Sequence, residues 1–407
     1  MHVLLIHQAF ASLDEAGGTR HYEMALHLVE HGHQVTIISS PVSYLTGKSR
    51  STRTHWMEQE NPQPSITILR AYTYQALHKS FIHRVFSFFS FMFSSFWIGL
   101  GVKHVDLVWG TSPPIFQGLA AWLLARLKNV PFLFEVRDLW PAFAIAVGVL
   151  RNRLLIRLSE WLERFLYRHA DRLVVNSPGF IQYVSERGAR RVELIPNGAD
   201  PGMFTTGVSD QGMRKQWGCS DEFIVLYAGA HGMSNDLGLI LDSAERLLAH
   251  SKIRFVFVGD GKEKATLQKE AKQRNLTNIF WAPPVPKNQM AQVLAAADTC
   301  IAILKPIEMY KTTYPNKVFD YMAAGRPVLL VIDGVIRQVV EAADAGLFAQ
   351  PGNPEALTRA ILQMADDPAR ALQMGANGRE YIQQHFNRAR LAETLMSLLE
   401  DMRREHD

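Results

Sequence analysis

Short apolar runs recur along the chain, each closed by glycine or polar turn residues and followed by a stretch of helical periodicity. Val3–His7 is the first run. A turn holding Gly17-Gly18, an amphipathic stretch from Thr19 to Glu30 and a second run at Gln34–Ser39 come next. Strand, turn, helix, strand is the repeating unit of a doubly wound parallel sheet. Ile66–Arg70, Asp106–Trp109, Pro131–Val136, Arg172–Asn176 and Val192–Pro196 continue the series, interrupted by residues 40–65, which read as an irregular, mobile insertion. Asn197-Gly198-Ala199-Asp200-Pro201 is rich in turn formers and reads as a linker. Beyond it the alternation restarts, with strands at Phe223–Ala228, Ile253–Val258, Asn278–Trp281, Thr299–Leu304 and Val328–Ile332. Helices are expected between these strands near 236–249, 262–274, 287–296 and 315–324. At 407 residues the chain exceeds one ordinary core. Two α/β domains are therefore expected, residues 1–197 and 198–386, followed by a last helix over about 387–407.

Two segments break the pattern. Val85–Val102 runs for 18 residues without a charge, long enough to cross a bilayer. A full span would leave strands of one sheet on opposite sides of a membrane, so the segment is read either as a buried helix or as one lying in a membrane interface. Arg153–Arg168 is amphipathic, with Leu154, Leu155, Leu158, Trp161, Leu162, Phe165 and Leu166 expected inward and its arginines outward, towards solvent or a membrane surface.

The stretch Tyr314–Val328 carries the most specific chemistry. Pro315 suits a first helical turn, Gly325 reads as the stop, and Pro327 leads into a buried strand. Asn316 and Lys317 then sit on a helix N-terminus, where free N–H groups and the dipole favour phosphate. Asp320 lies one turn further on the same face, placed to accept from two ribose hydroxyls. A capped helix with a solvated aspartate is the alternative.

Charge is uneven. Residues 1–200 hold 20 Lys+Arg against 15 Asp+Glu, net +5, and the remainder holds 23 against 24, net −1. A basic first half suits an anionic membrane surface or a pyrophosphate-bearing acceptor, while no nucleic-acid-binding pattern appears. Met1–His7 begins a strand and lacks a signal-peptide pattern, and Cys219 and Cys300 are expected as reduced thiols in a cytoplasmic protein. No His/Cys cluster has metal-ligand spacing, so no metal or other cofactor is expected.

The 314–328 stretch resembles the donor-binding helix of glycosyltransferase family four, retaining enzymes of the GT-B fold. The run Glu135-Val-Arg-Asp-Leu-Trp-Pro resembles the branch of that family that builds bacterial O-antigen, capsule and exopolysaccharide, including N-acetylfucosamine transferase-like enzymes. The resemblance implies two Rossmann-like domains facing across a cleft, an acceptor-binding first domain, a donor-binding second domain, and a last helix crossing back to the first. It implies transfer of a sugar from a nucleotide diphosphate, UDP in the first instance, to a polyprenyl-diphosphate-linked saccharide. The enzyme would sit on the inner face of the cell membrane, bound through the first domain, with no metal and no nucleic acid involved. Gly17 and Gly18 would lie near the donor phosphates and Arg20 and His21 near the acceptor, a tight turn being the plain alternative for the glycines. Arg137 stands near the position of a cleft histidine in many relatives and, with Asp138, would join the catalytic set. A salt bridge among Glu135, Arg137 and Asp138 is the structural alternative.

The chain also departs from the family pattern. Asp320 matches the second of two glutamates eight positions apart, but the first falls on Thr312. That glutamate holds the 3- and 4-hydroxyls of hexose donors, so its loss points to a deoxy or N-acetylamino sugar, unless Glu308 folds back to replace it. Two phosphate-binding cations of the family are absent from the loop Gly229-Ala-His-Gly-Met-Ser-Asn, leaving His231 and Asn235. Lys317 is the first candidate for the missing charge, with Lys305 and Lys311 next. A nucleotide-sugar epimerase or hydrolase of the same fold, and a non-catalytic scaffold in a glycan-assembly complex, are the alternative functions.

Overall fold

The computed structural model describes residues 1–43, 46–50, 55–75, 81–204 and 212–406. They form two compact units. The first comprises Met1–Ser12, Gly17–Pro196 and the chain from Ala389 onward; the second comprises Leu13–Ala16 and Asn197–Arg388.

The first unit is built on one sheet of β1 (His2–Ile6), β2 (Gln34–Ser39), β3 (Met57–Gln63), β4 (Ile66–Ala71), β5 (Leu107–Ser112), β6 (Phe132–Val136), β7 (Arg172–Val175) and β8 (Val192–Leu194). Their order is β3-β4-β2-β1-β5-β6-β7-β8, and all neighbours are parallel except β3 with β4. Near-continuous apolar runs such as Val3–Ile6 and Phe132–Phe134 belong in strands covered on both faces, and these are fully buried. The covering helices are α1 (Arg20–Glu30), α2 (Phe81–Gly101), α3 (Phe116–Lys128), α4 (Ala142–Ala146), α5 (Arg153–His169) and α6 (Ile181–Glu186).

Two expectations are corrected here, and the open choice for the charge-free segment is narrowed. Residues 40–65 include a regular element: β3 pairs antiparallel along β4, and Glu60 bonds the buried guanidinium of Arg70 at 3.1 Å. Positions 44–45 and 51–54 of that segment lie outside the described residues. The charge-free segment is not buried all round. In α2 the buried side carries Ser87, Ser94 and Ser95 beside Phe91, while Ile82, Phe86, Phe89, Phe93 and Trp97 face outward. Small serines let the helix lie close: Ser94 donates to the Tyr72 carbonyl at 2.6 Å and Ser95 to the Met92 carbonyl at 3.1 Å, while the buried Ser87 hydroxyl has no partner among the described residues. By length and composition Ile82–Gly101 is long and apolar enough to cross a membrane, and a third of it is buried. In α5 the leucines divide, since Leu162 and Leu166 are buried while Leu154, Leu155, Leu158 and Trp161 are exposed.

The second unit holds β9 (Phe223–Ala228), β10 (Ile253–Val258), β11 (Ile279–Ala282), β12 (Thr299–Ile303), β13 (Val328–Val331) and β14 (Gly346–Phe348), all parallel in the order β11-β10-β9-β12-β13-β14. The short β14 adds a sixth strand to the five expected. Its helices are α7 (Met213–Gln216), α8 (Leu237–Arg246), α9 (Lys264–Gln273), α10 (Met290–Ala295), α11 (Asn316–Ala323), α12 (Val335–Ala342), α13 (Pro354–Asp366) and α14 (Pro368–His385). The final helix, α15 (Arg388–His406), packs in the first unit from Ala389 on. Cys219 and Cys300 are buried free thiols. In both sheets the strand order reverses once, between β1 and β5 and between β9 and β12. In such sheets ligands bind outside the carboxyl ends at that reversal.

Candidate active-site residues in the two units

In the second unit, the loop after β9 and the N-terminus of α11 meet at the reversal point. Helix α11 begins at Asn316, with Pro315 as its N-cap at ψ 126° rather than inside its first turn. The helix is fixed to β9 by Tyr321, whose hydroxyl donates to the Ala228 carbonyl at 2.9 Å and accepts from the Ala228 N–H at 3.1 Å. That anchorage brings Lys317 across Gly229. Its Nζ donates to the Tyr227 hydroxyl at 2.9 Å and to Asn235 Oδ1 at 3.3 Å, and lies 4.3 Å from the centre of the Tyr227 ring. Tyr227 in turn donates to the Ala230 carbonyl at 2.7 Å, as does the Asn235 amide at 3.0 Å. The ammonium is thus held by neutral groups alone, and burial lowers its pKa to about 7. A half-buried cation oriented by a phenol and an amide is ready for an anionic ligand.

The loop's course is set by main-chain contact. A Cβ on Gly259 would stand 1.9 Å from the Gly229 carbonyl oxygen, and one on Gly261 would stand 2.5 Å from that of His231. A Cβ on Gly229 would stand 3.1 Å from Lys317 Nζ and press on the ammonium.

Other expected donor-side residues are placed differently. His231 does not offer its ring to a ligand. The ring is fully buried among Tyr227, Phe257 and Trp281, and desolvation lowers its pKa to about 4, leaving it neutral. Thr312 ends a 3-10 turn, and its hydroxyl donates to the Met309 carbonyl at 2.7 Å. Glu308 does not fold back; it is 83% exposed and pairs with Lys311 at 2.9 Å. Lys311 is thereby already neutralised, and the backbone N–H of Lys305 bonds the Ser234 carbonyl at 2.9 Å. Asn316 keeps its side-chain oxygen unbonded at the helix start. Asp320, far from a freely solvated carboxylate, pairs with Lys287 at 2.6 Å. Lys287 was not singled out in the sequence, where it sits in an unremarkable Pro-Lys-Asn turn.

In the first unit the carboxyl ends of the strands gather around Glu135, the fourth residue of β6. Its carboxylate is fully buried and accepts from Arg20 Nε at 2.9 Å, His21 Nε2 at 2.8 Å and Trp109 Nε1 at 3.1 Å. Burial alone would raise its pKa, but His21 and Arg20 hold it well below the carboxylate range. Arg20 also donates to the carbonyls of Ile195 and Pro196, at 2.7 Å each. Arg20 and His21, expected at the acceptor, are therefore buried internal ties. His21 is neutral, its pKa lowered to about 4 by burial against the pull of Glu135. His7, not anticipated, packs against it at a tilt of 57° with ring centres 4.3 Å apart and neither nitrogen bonded.

Of the salt bridge that was the structural alternative among Glu135, Arg137 and Asp138, Glu135 is taken by Arg20 and His21, while the Arg137 charge still pulls down the pKa of both carboxyls. Arg137 turns to the Pro113 carbonyl at 3.0 Å. Asp138 keeps an exposed surface, yet crowding by protein pushes its pKa up to about 6 against the pull of Arg137. Gly17 and Gly18 are exposed, and Gly17 lies so close to Ala11 that its Cβ would come within 2.9 Å. Among the described residues no cluster of His, Cys, Asp and Glu could hold a metal ion.

Comparison with known proteins agrees with the two-sheet architecture. The sequence matches the family models "Glycosyl transferase 4-like domain" over residues 16–198 and "Glycosyl transferases group 1" over residues 210–381. It is 24% identical over 354 residues to WcaI of Escherichia coli K12, a glycosyl transferase assigned to colanic acid biosynthesis, with 84% of this chain and 86% of that one covered. Sucrose-phosphate synthase from Thermosynechococcus elongatus superposes with a TM-score of 0.77 at 20% identity, covering 98% of each chain. Anabaena HepE in complex with UDP and glucose superposes at 0.73 and 14% identity, covering 98% of this chain and 100% of that one. Those two likenesses carry the GT-B fold. With both halves matched, the chain belongs to the group 1 glycosyl transferases, with a type-4-like first domain.

Proposed function

We propose that the protein transfers a sugar, with retention of configuration, from a nucleoside-diphosphate donor to a lipid-linked saccharide during surface-polysaccharide assembly. The observation that carries this reading is Lys317, held over Gly229 by Tyr227 and Asn235 with only neutral partners. Departure of a diphosphate needs positive charge that is fixed before the charge develops. Lys317 and the N–H groups of α11 supply it where relatives use cations in the loop. Proton removal from the acceptor then falls to the leaving phosphate oxygen. Arg137 and Asp138, at the carboxyl end of β6, are the catalytic candidates of the first unit. Asp320, paired with Lys287, accepts from the ribose.

UDP is the nucleotide proposed, in line with the UDP bound to HepE. A deoxy or N-acetylamino sugar is the proposed donor group, because Thr312 has no carboxylate and Glu308 turns to solvent. WcaI's assignment to colanic acid supports a polysaccharide acceptor. The proposed location is the cytoplasmic face of a membrane, with the outward aromatic stripe of α2 as the apolar contact.

The test is incubation with a panel of nucleotide sugars, with and without a polyprenyl-diphosphate-linked saccharide, in buffer containing EDTA. Nucleotide release that depends on acceptor supports the proposal. Release or epimerisation without acceptor, or none with any donor, refutes it.

A further inference from the structure

A second concave site lies in the first unit at the opposite end of the sheet, beside the amino ends of β6, β7 and β8. It is a cavity of about 660 Å³ whose wall includes Arg126, Arg168, Arg172, Arg190, Arg191 and Glu405. Five guanidinium groups face two carboxylates there. Asp171 is already engaged, one oxygen accepting from the Phe132 N–H at 2.8 Å and the other lying 3.9 Å from Arg126. Glu405, near the end of α15, bridges Arg172 at 2.5 Å and Arg191 at 2.8 Å. Arg168 and Arg190 have no carboxylate partner among the described residues.

The arrangement is specific to the chain's course. Gly188, at φ +101°, leaves space for the Arg168 stem; a Cβ there would stand 2.7 Å from Arg168 Cγ. The exposed stripe of α5, Leu154, Leu158 and Trp161, continues through Phe165 at steps of four, three and four, and three residues later reaches Arg168. An apolar track thus ends at the rim of a basic cavity. Guanidinium groups pair with phosphate oxygens through forked hydrogen bonds, and their charge is permanent.

We propose that this cavity binds a phosphate group, through Arg168 and Arg190 first and through Arg172 and Arg191 once Glu405 yields. Glu405 is then an internal stand-in for the ligand, and the site is separate from the transfer chemistry at the carboxyl ends of the strands. The phosphate comes from a lipid headgroup or from a soluble phosphate ester, and the two sources are separable.

The experiment uses the full chain, the double variant Arg168→Gln/Arg190→Gln, and Glu405→Gln. One arm titrates inorganic pyrophosphate by calorimetry. The other measures co-sedimentation with phosphatidylglycerol–phosphatidylcholine vesicles against pure phosphatidylcholine. The double variant is expected to lose roughly tenfold or more in affinity and Glu405→Gln to gain a few-fold, since each charged hydrogen bond removed or freed is worth about that much. Loss confined to the vesicle arm identifies a lipid headgroup; loss in the pyrophosphate arm identifies a soluble phosphate. Equal binding by wild type and double variant in both arms overturns the site. So does a pyrophosphate response that survives in the double variant and disappears in Lys317→Met, with vesicle binding unchanged.

Discussion

Replacing Lys317 by methionine separates its cost to folding from its use in catalysis. The ammonium is held by a phenol and an amide with no counter-charge, and burial lowers its pKa to about 7. In the free protein the charged form is therefore the disfavoured one, and methionine of similar length should leave the melting temperature unchanged or raise it. Turnover should move the other way. Losing one fixed donor to a developing anion costs about 2–4 kcal/mol, roughly 30- to 1,000-fold in kcat, with less effect on KM because the charge grows towards the transition state. A pH signature follows. Protonated Lys317 is the active form, so kcat/KM for the donor should fall as pH rises through about 7, since that ratio reports the free enzyme. Arginine stays charged, so Lys317→Arg should abolish that fall while restoring only part of kcat, its planar group being placed differently. The assays are steady-state nucleotide release across pH and thermal denaturation. Wild-type kcat/KM that stays flat from pH 6 to 9, or a Lys317→Met protein with unchanged kcat, would refute the assignment.

Asp320→Asn should lower donor efficiency by about 10- to 150-fold through loss of a charged hydrogen bond, and isothermal titration with the nucleotide should show the weaker binding. Lys287→Met should destabilise the fold by about 1–3 kcal/mol in urea melts, because it removes the ammonium 2.6 Å from the Asp320 carboxylate, which is only 17% exposed. Glu135→Gln removes the carboxylate charge that buried Arg20 meets at 2.9 Å, so a loss of about 3–5 kcal/mol is expected by denaturant unfolding. Serine at Phe86, Phe93 and Trp97 should reduce vesicle binding whatever the salt concentration, because the stripe they form carries no charge. Sedimentation with vesicles checks it, and undiminished binding would remove α2 from the membrane contact.

The strand series was legible because a parallel sheet covered on both faces needs unbroken apolar runs, and Val3–Ile6 or Phe255–Val258 have no other use. The pairing of Asn316 and Lys317 with a helix start was legible for a similar local reason. What escaped depended on partners remote in sequence. β3, Met-Glu-Gln-Glu-Asn-Pro-Gln, is polar because it is an edge strand with little to bury, and composition alone reads it as loop. The inward face expected for the α5 leucines was wrong at Leu154, Leu155 and Leu158, and α2 stayed open between buried and interfacial, because hydrophobicity alone does not say which face is covered. Serine faces the core in one and leucine faces out in the other. Arg20 and Glu135 stand 115 positions apart, so no local pattern could show that they neutralise one another. The burial of His231 likewise follows from Phe257 and Trp281, which join it only in the folded sheet.

The backbone contacts around Gly229 bear on how this enzyme could be re-engineered. Gly259 and Gly261 press directly on the carbonyls of Gly229 and His231, so the first half of the loop is moulded by main chain against main chain. Tyr227 and Asn235 add side-chain ties to the Ala230 carbonyl. The exposed Met233 can then be exchanged without collapsing the loop, whereas Ser234 accepts from Tyr310 and any side chain at residue 259 or 261 would displace the loop. Such a loop tolerates moving its positive charge elsewhere, as here to a lysine on the facing helix. Libraries aimed at a new donor should accordingly vary Gly232 and Met233 and leave Ser234, Asn235 and the three glycines untouched.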